Sequence, residues 1–128
     1  MDNNFSALLL NDQGLRAGPK GLELDVRLPW YRSMPLSVVE IASLRVDGQA
    51  VPLAEIRFEV NEKSFRLDEL PGQIGEFWFV LDRAVLRVPA TPVAAGSTHQ
   101  VELQLNLYPP YIPHLTWVTR ATKNLRAQ

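Results

Sequence analysis

Apolar and polar residues alternate along most of this chain with a period of two. Leu22, Leu24, Val26 and Leu28 alternate with Glu23, Asp25 and Arg27, which predicts a strand with one buried face. Ser37 to Val46 is again apolar and β-branched, with Leu44 and Val46 on one face and Ser43 and Arg45 on the other. Asp47-Gly48 then suits the two positive-φ positions of a type I′ hairpin turn. Gln49 to Leu53 returns from that turn, with Pro52 ending or edging the strand. Ile56, Phe58 and Val60 alternate with Arg57 and Glu59, and a turn at Asn61-Glu62-Lys63 leads to Phe65 and Leu67. Leu70 to Gly75 reads as a loop. In the following aromatic segment Phe77, Phe79 and Leu81 share one face and Trp78 and Val80 the other. Two apolar faces predict a central strand covered on both sides, and the run continues through Arg83 to Val88. After a loop of small residues and proline from Pro89 to Gly96, Val101, Leu103, Leu105 and Leu107 alternate with Glu102, Gln104 and Asn106 until Pro109-Pro110.

Roughly seven to nine short strands with a turn signal every ten or so residues predict an all-β, single-domain antiparallel β-sandwich, with a jelly roll as one form of it and a small barrel as the other architecture. The domain spans residues 1–128, with 1–20 and 116–128 as arms or edge elements. Thr116 to Gln128 lacks a clear period and fits a final strand, a short helix or an arm laid on a partner.

Composition narrows the function. The formal net charge is −1, with acids and bases scattered singly, so nothing predicts affinity for nucleic acid or an anionic membrane. The chain has no cysteine, which excludes disulfides, thiol nucleophiles and thiolate metal sites and is compatible with a reducing cytoplasm. Asp2-Asn3-Asn4 forms no basic leader and the apolar run Ala7 to Leu10 is too short for a signal peptide. A cytoplasmic protein is expected. His99 and His114 are the only histidines and lie fifteen positions apart, too few for a zinc site without cysteine. No serine sits in a nucleophile elbow, the glycines have neither dinucleotide nor P-loop spacing, and the carboxylates are scattered. No catalytic residue, no metal and no cofactor are expected in this chain.

Binding chemistry is concentrated in two places. Pro29-Trp30-Tyr31-Arg32-Ser33-Met34-Pro35 packs two aromatics, an arginine and a methionine between prolines, a stiffened loop outside any ladder with the composition of an interface hot spot. Tyr108-Pro109-Pro110-Tyr111-Ile112-Pro113-His114-Leu115-Thr116-Trp117 is the second; its three prolines predict an extended path presenting Tyr108, Tyr111, His114 and Trp117. Trp30, Tyr31, Arg32 and Met34 are expected to face a partner or border a substrate, with the second group after them. Capping the sandwich core is the plain alternative for each aromatic.

The motif Arg27-Leu28-Pro29-Trp30-Tyr31-Arg32-Ser33-Met34-Pro35-Leu36-Ser37, followed by Val46-Asp47-Gly48, resembles the small β subunit of bacterial C-glycoside deglycosidases. Phe77-Trp78-Phe79-Val80-Leu81-Asp82, His99-Gln100-Val101-Glu102-Leu103 and Pro110-Tyr111 extend the likeness over most of residues 22–113. The resemblance implies a β-sandwich subunit of a heteromeric carbon–carbon lyase acting on 3-oxo C-glycosides of polyphenols. It implies a larger TIM-barrel α subunit that holds a divalent metal, Mn²⁺ being expected, together with the general base. The alternative from a different class is a stand-alone carbohydrate- or polyphenol-binding sandwich that uses the same aromatics as a platform.

Overall fold

A computed structural model describes residues 6–128; the Asp2-Asn3-Asn4 leader reading lies outside them. The elements in order are α1 (Ser6–Leu9), β1 (Leu10–Gly18), β2 (Gly21–Arg27), β3 (Met34–Pro35), β4 (Val39–Val46), β5 (Gln49–Ala50), β6 (Arg57–Val60), β7 (Lys63–Arg66), β8 (Phe77–Trp78), β9 (Arg83–Val88), β10 (Thr98–Leu107) and β11 (Trp117–Arg126). Short 3-10 turns occupy Leu36–Val38, Leu53–Glu55 and Leu67–Gly72.

Two antiparallel sheets make the sandwich, one ordered β1-β2-β9-β6-β7 and the other β11-β10-β4-β5. In the first, Leu15 pairs with Leu24, Leu24 with Leu86, and Leu86 with Phe58, so one apolar row crosses four strands. In the second, Leu44 pairs with Leu103 and Leu103 with Ala121. These rows belong to one buried core, formed because period-two patterning gives each sheet an apolar inner face. The buried positions of β4 change parity, from Val39 and Ile41 to Leu44 and Val46. The register slips between Ile41 and Ser43 opposite β10, so Ala42 is the extra residue of a bulge that returns the strand to the core.

The tail is the edge strand β11, hydrogen-bonded along its whole length to β10. Gln128 N–H then donates to the Leu15 carbonyl and its own carbonyl accepts from Ala17 N–H, joining the ends of the two sheets. Asp47 and Gly48 adopt φ of 53° and 81°, as the hairpin signal requires. Four expectations are corrected. Leu67–Gly72 is a 3-10 turn and not open loop, its first turn closed by the Glu69 carboxylate accepting from Arg66 N–H at 2.6 Å. The proline-rich segment after β10 is not extended: Ile112 N–H reaches the Pro109 carbonyl and Leu115 N–H the Ile112 carbonyl, giving two consecutive turns. Pro110 and Pro113 preset φ at the second position of each, and His114 takes the left-handed position of the second turn with φ 64°. The third correction concerns Phe77–Leu81. Only Phe77 and Trp78 form strand, and they pair with Pro35 and Met34 in a two-stranded ribbon outside both sheets. A turn in which Asp82 N–H donates to the Phe79 carbonyl separates this ribbon from β9. Met34–Pro35 is correspondingly part of a ladder, contrary to the loop expectation.

The outer face of the five-stranded sheet carries a cross-strand ion network. Arg16 bridges Glu23 and Asp25, and Arg87 bridges Glu23 and Glu59. The Arg87 guanidinium holds the Glu59 carboxyl below its ordinary value, chiefly through hydrogen bonds of 2.9 and 3.1 Å. A depressed carboxyl stabilises the fold above its unfolded pKa of about 4.3, and that contribution is lost as pH falls through the lower folded value. The melting temperature is therefore expected to be nearly flat from about pH 7 to 5 and to fall below about pH 4. Glu59→Gln should lower it at neutral pH and flatten the acid limb, measured by calorimetric scans across pH.

Candidate partner interface

The two aromatic clusters, some 80 residues apart in sequence, meet in space. Trp30 follows β2 through Pro29, and the turns after β10 bring Tyr111 and Trp117 to the same end of the sandwich. The Trp30 ring lies 5.1 Å from Tyr31 and 5.1 Å, edge-on, from Trp117. Its indole Nε1–H donates to the Tyr111 hydroxyl at 2.6 Å, and the Tyr111 and Tyr31 hydroxyls are hydrogen-bonded to each other at 3.2 Å. An indole nitrogen only donates, so the Tyr111 oxygen accepts from Trp30, and the two tyrosine hydroxyls share the outer bond of this chain. The Arg32 guanidinium sits 5.0 Å above the Tyr111 ring, a cation–π contact. The hydrogen bond with Tyr111 is the main cause that raises the Tyr31 phenol above its ordinary value. The cluster thus presents a neutral phenol hydroxyl and a stacked guanidinium on an aromatic base.

The eight residues singled out by sequence do not form one surface. Tyr31, Arg32 and Tyr111 are exposed, and Trp117 is half-buried beneath them. Trp30 and Met34 are buried in the core of this chain, which corrects the expectation that both face outward. Met34 pairs with Trp78 across the ribbon, and the Trp30 ring serves as the base that Tyr31 and Tyr111 stand on. His114 is exposed on its turn. Tyr108 lies apart from the cluster: its hydroxyl donates to Glu40 Oε1 at 2.6 Å, which raises the phenol above its ordinary value. It lines a groove of about 440 Å³ together with apolar Val39, Ile41, Leu53, Leu67 and Pro71 and polar Ser37, Glu40, Arg66 and Asp68.

Two further features escaped sequence reasoning. His99 Nδ1 lies 2.7 Å from Asp47 Oδ2, and His99 Nε2 lies 2.7 Å from Ser97 Oγ. Asp47 Oδ1 also accepts from Gln100 N–H at 2.9 Å, and the His99 contact leads the causes that hold the Asp47 carboxyl below its ordinary value. The order Ser–His–Asp is that of a hydrolase triad, but the Ser97 hydroxyl also bonds the Ala94 carbonyl at 2.5 Å within its own turn. This array ties the β4–β5 hairpin to the start of β10. The second feature is the outward side of the ribbon, where Phe77 and Phe79 stack with centroids 6.4 Å apart. Their exposure had no sequence signal, because alternation with Trp78 and Val80 left both faces apolar. Among the described residues no three His, Cys, Asp or Glu side chains converge to hold a metal ion, and no helix is long and apolar enough to cross a membrane.

The fold and this end of it define a small β-sandwich that presents an aromatic contact surface. A sequence model of the C-glycoside deglycosidase beta subunit matches residues 7–111. The chain is 38% identical over 109 residues to a 3'-dehydrocarminate deglycosidase beta subunit of a Microbacterium species, covering 85% of this chain and 82% of that one. It is 42% identical over 95 residues to a C-glycoside deglycosidase beta subunit of Microbacterium trichothecenolyticum, covering 74% and 71%. A beta subunit of the same description from Arthrobacter globiformis is 40% identical over 89 residues, covering 70% and 68%. The chain belongs to the C-glycoside deglycosidase beta subunit family, and it is a subunit of a heteromeric enzyme complex.

Proposed function

We propose that this chain is the non-catalytic β subunit of a cytoplasmic carbon–carbon lyase that cleaves 3-oxo C-glycosides of flavonoid-like polyphenols, and that it docks beside the active site of a larger TIM-barrel subunit. The observation that carries the reading is the convergence of Trp30, Tyr31, Arg32, Tyr111 and Trp117 at one end of the sandwich. A relative named for a dehydrogenated glycoside supports an oxidised sugar as the substrate class. A ketone at C3 acidifies the proton on C2; its removal gives an enolate, which expels the aglycone carbon from C1 with its bonding pair, and that carbon is then protonated. The divalent metal, Mn²⁺ in this reading, belongs to the larger subunit and supplies charge stabilisation at the keto oxygen. The part of this chain is to exclude water and position the aglycone. Tyr31 O–H and the Arg32 guanidinium are the groups it offers to an oxygen on the aglycone or on a barrel loop.

The chain alone is expected to turn over no 3-oxo C-glycoside, and Arg32→Ala should weaken assembly with the larger subunit roughly tenfold, the scale of one arginine anchor at an interface. Titration calorimetry of the separately purified subunits reads the second effect. Full turnover by the isolated chain would refute the proposal. The Tyr108 groove favours a second reading, a stand-alone binder of phenolic glycosides. Saturable binding of such a glycoside by the isolated chain, abolished in Tyr108→Ala, is the result that would favour it.

A further inference from the structure

The ribbon formed by β3 and β8 and the segments flanking β8 carry several exposed apolar side chains. Ile74 is 78% exposed, Phe77 38%, Phe79 53% and Leu81 82%, and Tyr31, on the loop that leads into β3, is 62% exposed. Side chains of this kind carry about 150–250 Å² each when aromatic, so these exposures leave on the order of 500 Å² of apolar surface, at the upper end of the roughly 300–600 Å² of the largest patch on a monomer. A standard interface buries about 800 Å² per partner, so the patch supplies the centre of one.

The ribbon is also held rigidly. Trp78 is fully buried, edge-on to Phe58 at 5.4 Å, and its Nε1–H donates to the Asp82 carbonyl at 2.9 Å. Val80 N–H donates to Ser33 Oγ at 3.0 Å, and Asn61 Nδ2–H to the Phe77 carbonyl at 2.7 Å. Phe77 and Phe79 therefore point outward because Trp78 points inward, and docking needs little ordering of the chain.

We propose that this ribbon, and not the Trp30–Arg32 loop alone, is the primary docking face for the larger subunit, whose matching surface is apolar at the centre and acidic at the rim. The inference rests on the reading above and names the partner-binding face of the same end of the molecule. Charge argues for that occupant over a second copy of this chain. Arg27 and Arg83 stand opposite each other at the ends of β2 and β9, where the chain enters the aromatic loop and leaves the ribbon. Arg32 lies on the same loop. Asp82 is beside them, and Asp25 is already engaged by Arg16 and, at 3.5 Å, by Arg83. With Asp25 set against Arg83 and Glu76 against Lys63, Arg27 and Arg32 remain there against Asp82. A two-fold dimer would set like patches against each other, whereas an acidic rim would pair with them.

The test measures the affinity of the cognate larger subunit for the wild-type chain, for Phe79→Glu/Leu81→Glu and for Leu8→Glu, an exposed apolar residue on α1 that serves as control. Thermal unfolding of each variant verifies the fold. The expected result is at least a hundredfold weakening for the ribbon variant, no change for Leu8→Glu, and wild-type affinity that falls with ionic strength. Ribbon-variant affinity within threefold of wild type overturns the proposal. So does sedimentation showing a wild-type homodimer that the ribbon variant dissociates, and a salt-independent affinity overturns the acidic rim. Failure of the wild-type chain to bind any larger subunit would instead remove the functional reading beneath it.

Discussion

Trp78→Ala is expected to cost about 3–5 kcal/mol of folding stability, the range for removing a buried large aromatic. The indole is fully buried, packs edge-on against Phe58 and closes the turn before β9 through its bond to the Asp82 carbonyl. Urea unfolding followed by circular dichroism measures the loss; a change under about 1 kcal/mol would show that the side chain is not part of the core. Trp78→Phe separates packing from anchoring. It keeps an apolar ring but removes the only donor of the indole, at a cost of about 1–2 kcal/mol. If the ribbon docks the larger subunit, this milder variant should weaken assembly by more than its stability loss accounts for, because the Phe79–Asp82 turn is no longer pinned.

Gly21→Ala should destabilise by about 2–5 kcal/mol, combining left-handed backbone strain with a forced shift of neighbouring atoms. Gly21 opens β2 at φ 103°. A Cβ there would overlap the Val88 carbonyl oxygen and stand 2.6 Å from Pro89 Cα, and neither backbone group can move without disturbing the β2–β9 pairing of Leu22 with Val88. Gly48 is the comparison. It too has a positive φ, of 81°, but nothing lies within 4 Å of the position of an added Cβ, so Gly48→Ala should cost only the conformational strain, about 1 kcal/mol. Similar losses for the two variants would show that the close approach at Gly21 carries no weight.

The strands were readable because period-two alternation reports directly which face is buried, and Leu22–Val26 and Val101–Leu107 are the plainest cases. The Asp47-Gly48 turn was readable because few residue pairs accept positive φ at both positions. The aromatic segment at Phe77–Leu81 was misplaced for a physical reason: when both faces are apolar, alternation carries no information about which one is covered. Pairing with the short Met34–Pro35 strand, where proline limits the ladder, puts the segment at the rim. The tail gave no period because the inward row of the edge strand β11 carries Thr119, Ala121 and Lys123 between Trp117 and Leu125. The Tyr-Pro-Pro-Tyr segment looked extended because proline favours that region, yet prolines at the second position of successive turns satisfy the same φ and fold the chain back.

The candidate site followed the same division. Residue types alone marked Trp30, Tyr31, Arg32, Tyr111 and Trp117 as unusual for loops, and the resemblance carried by Arg27–Ser37 pointed to the family to which the chain belongs. What the sequence by itself determined was the all-β class, the main strands and the composition of the contact loops, since these depend on local pattern and covalent constraint. Only the tertiary structure decided that the two aromatic clusters are one, that Trp30 and Met34 face inward, and that Phe77, Phe79 and Leu81 face outward. Those outcomes depend on which segments, separated by tens of residues, compete for the same interior volume, and no local pattern encodes that competition.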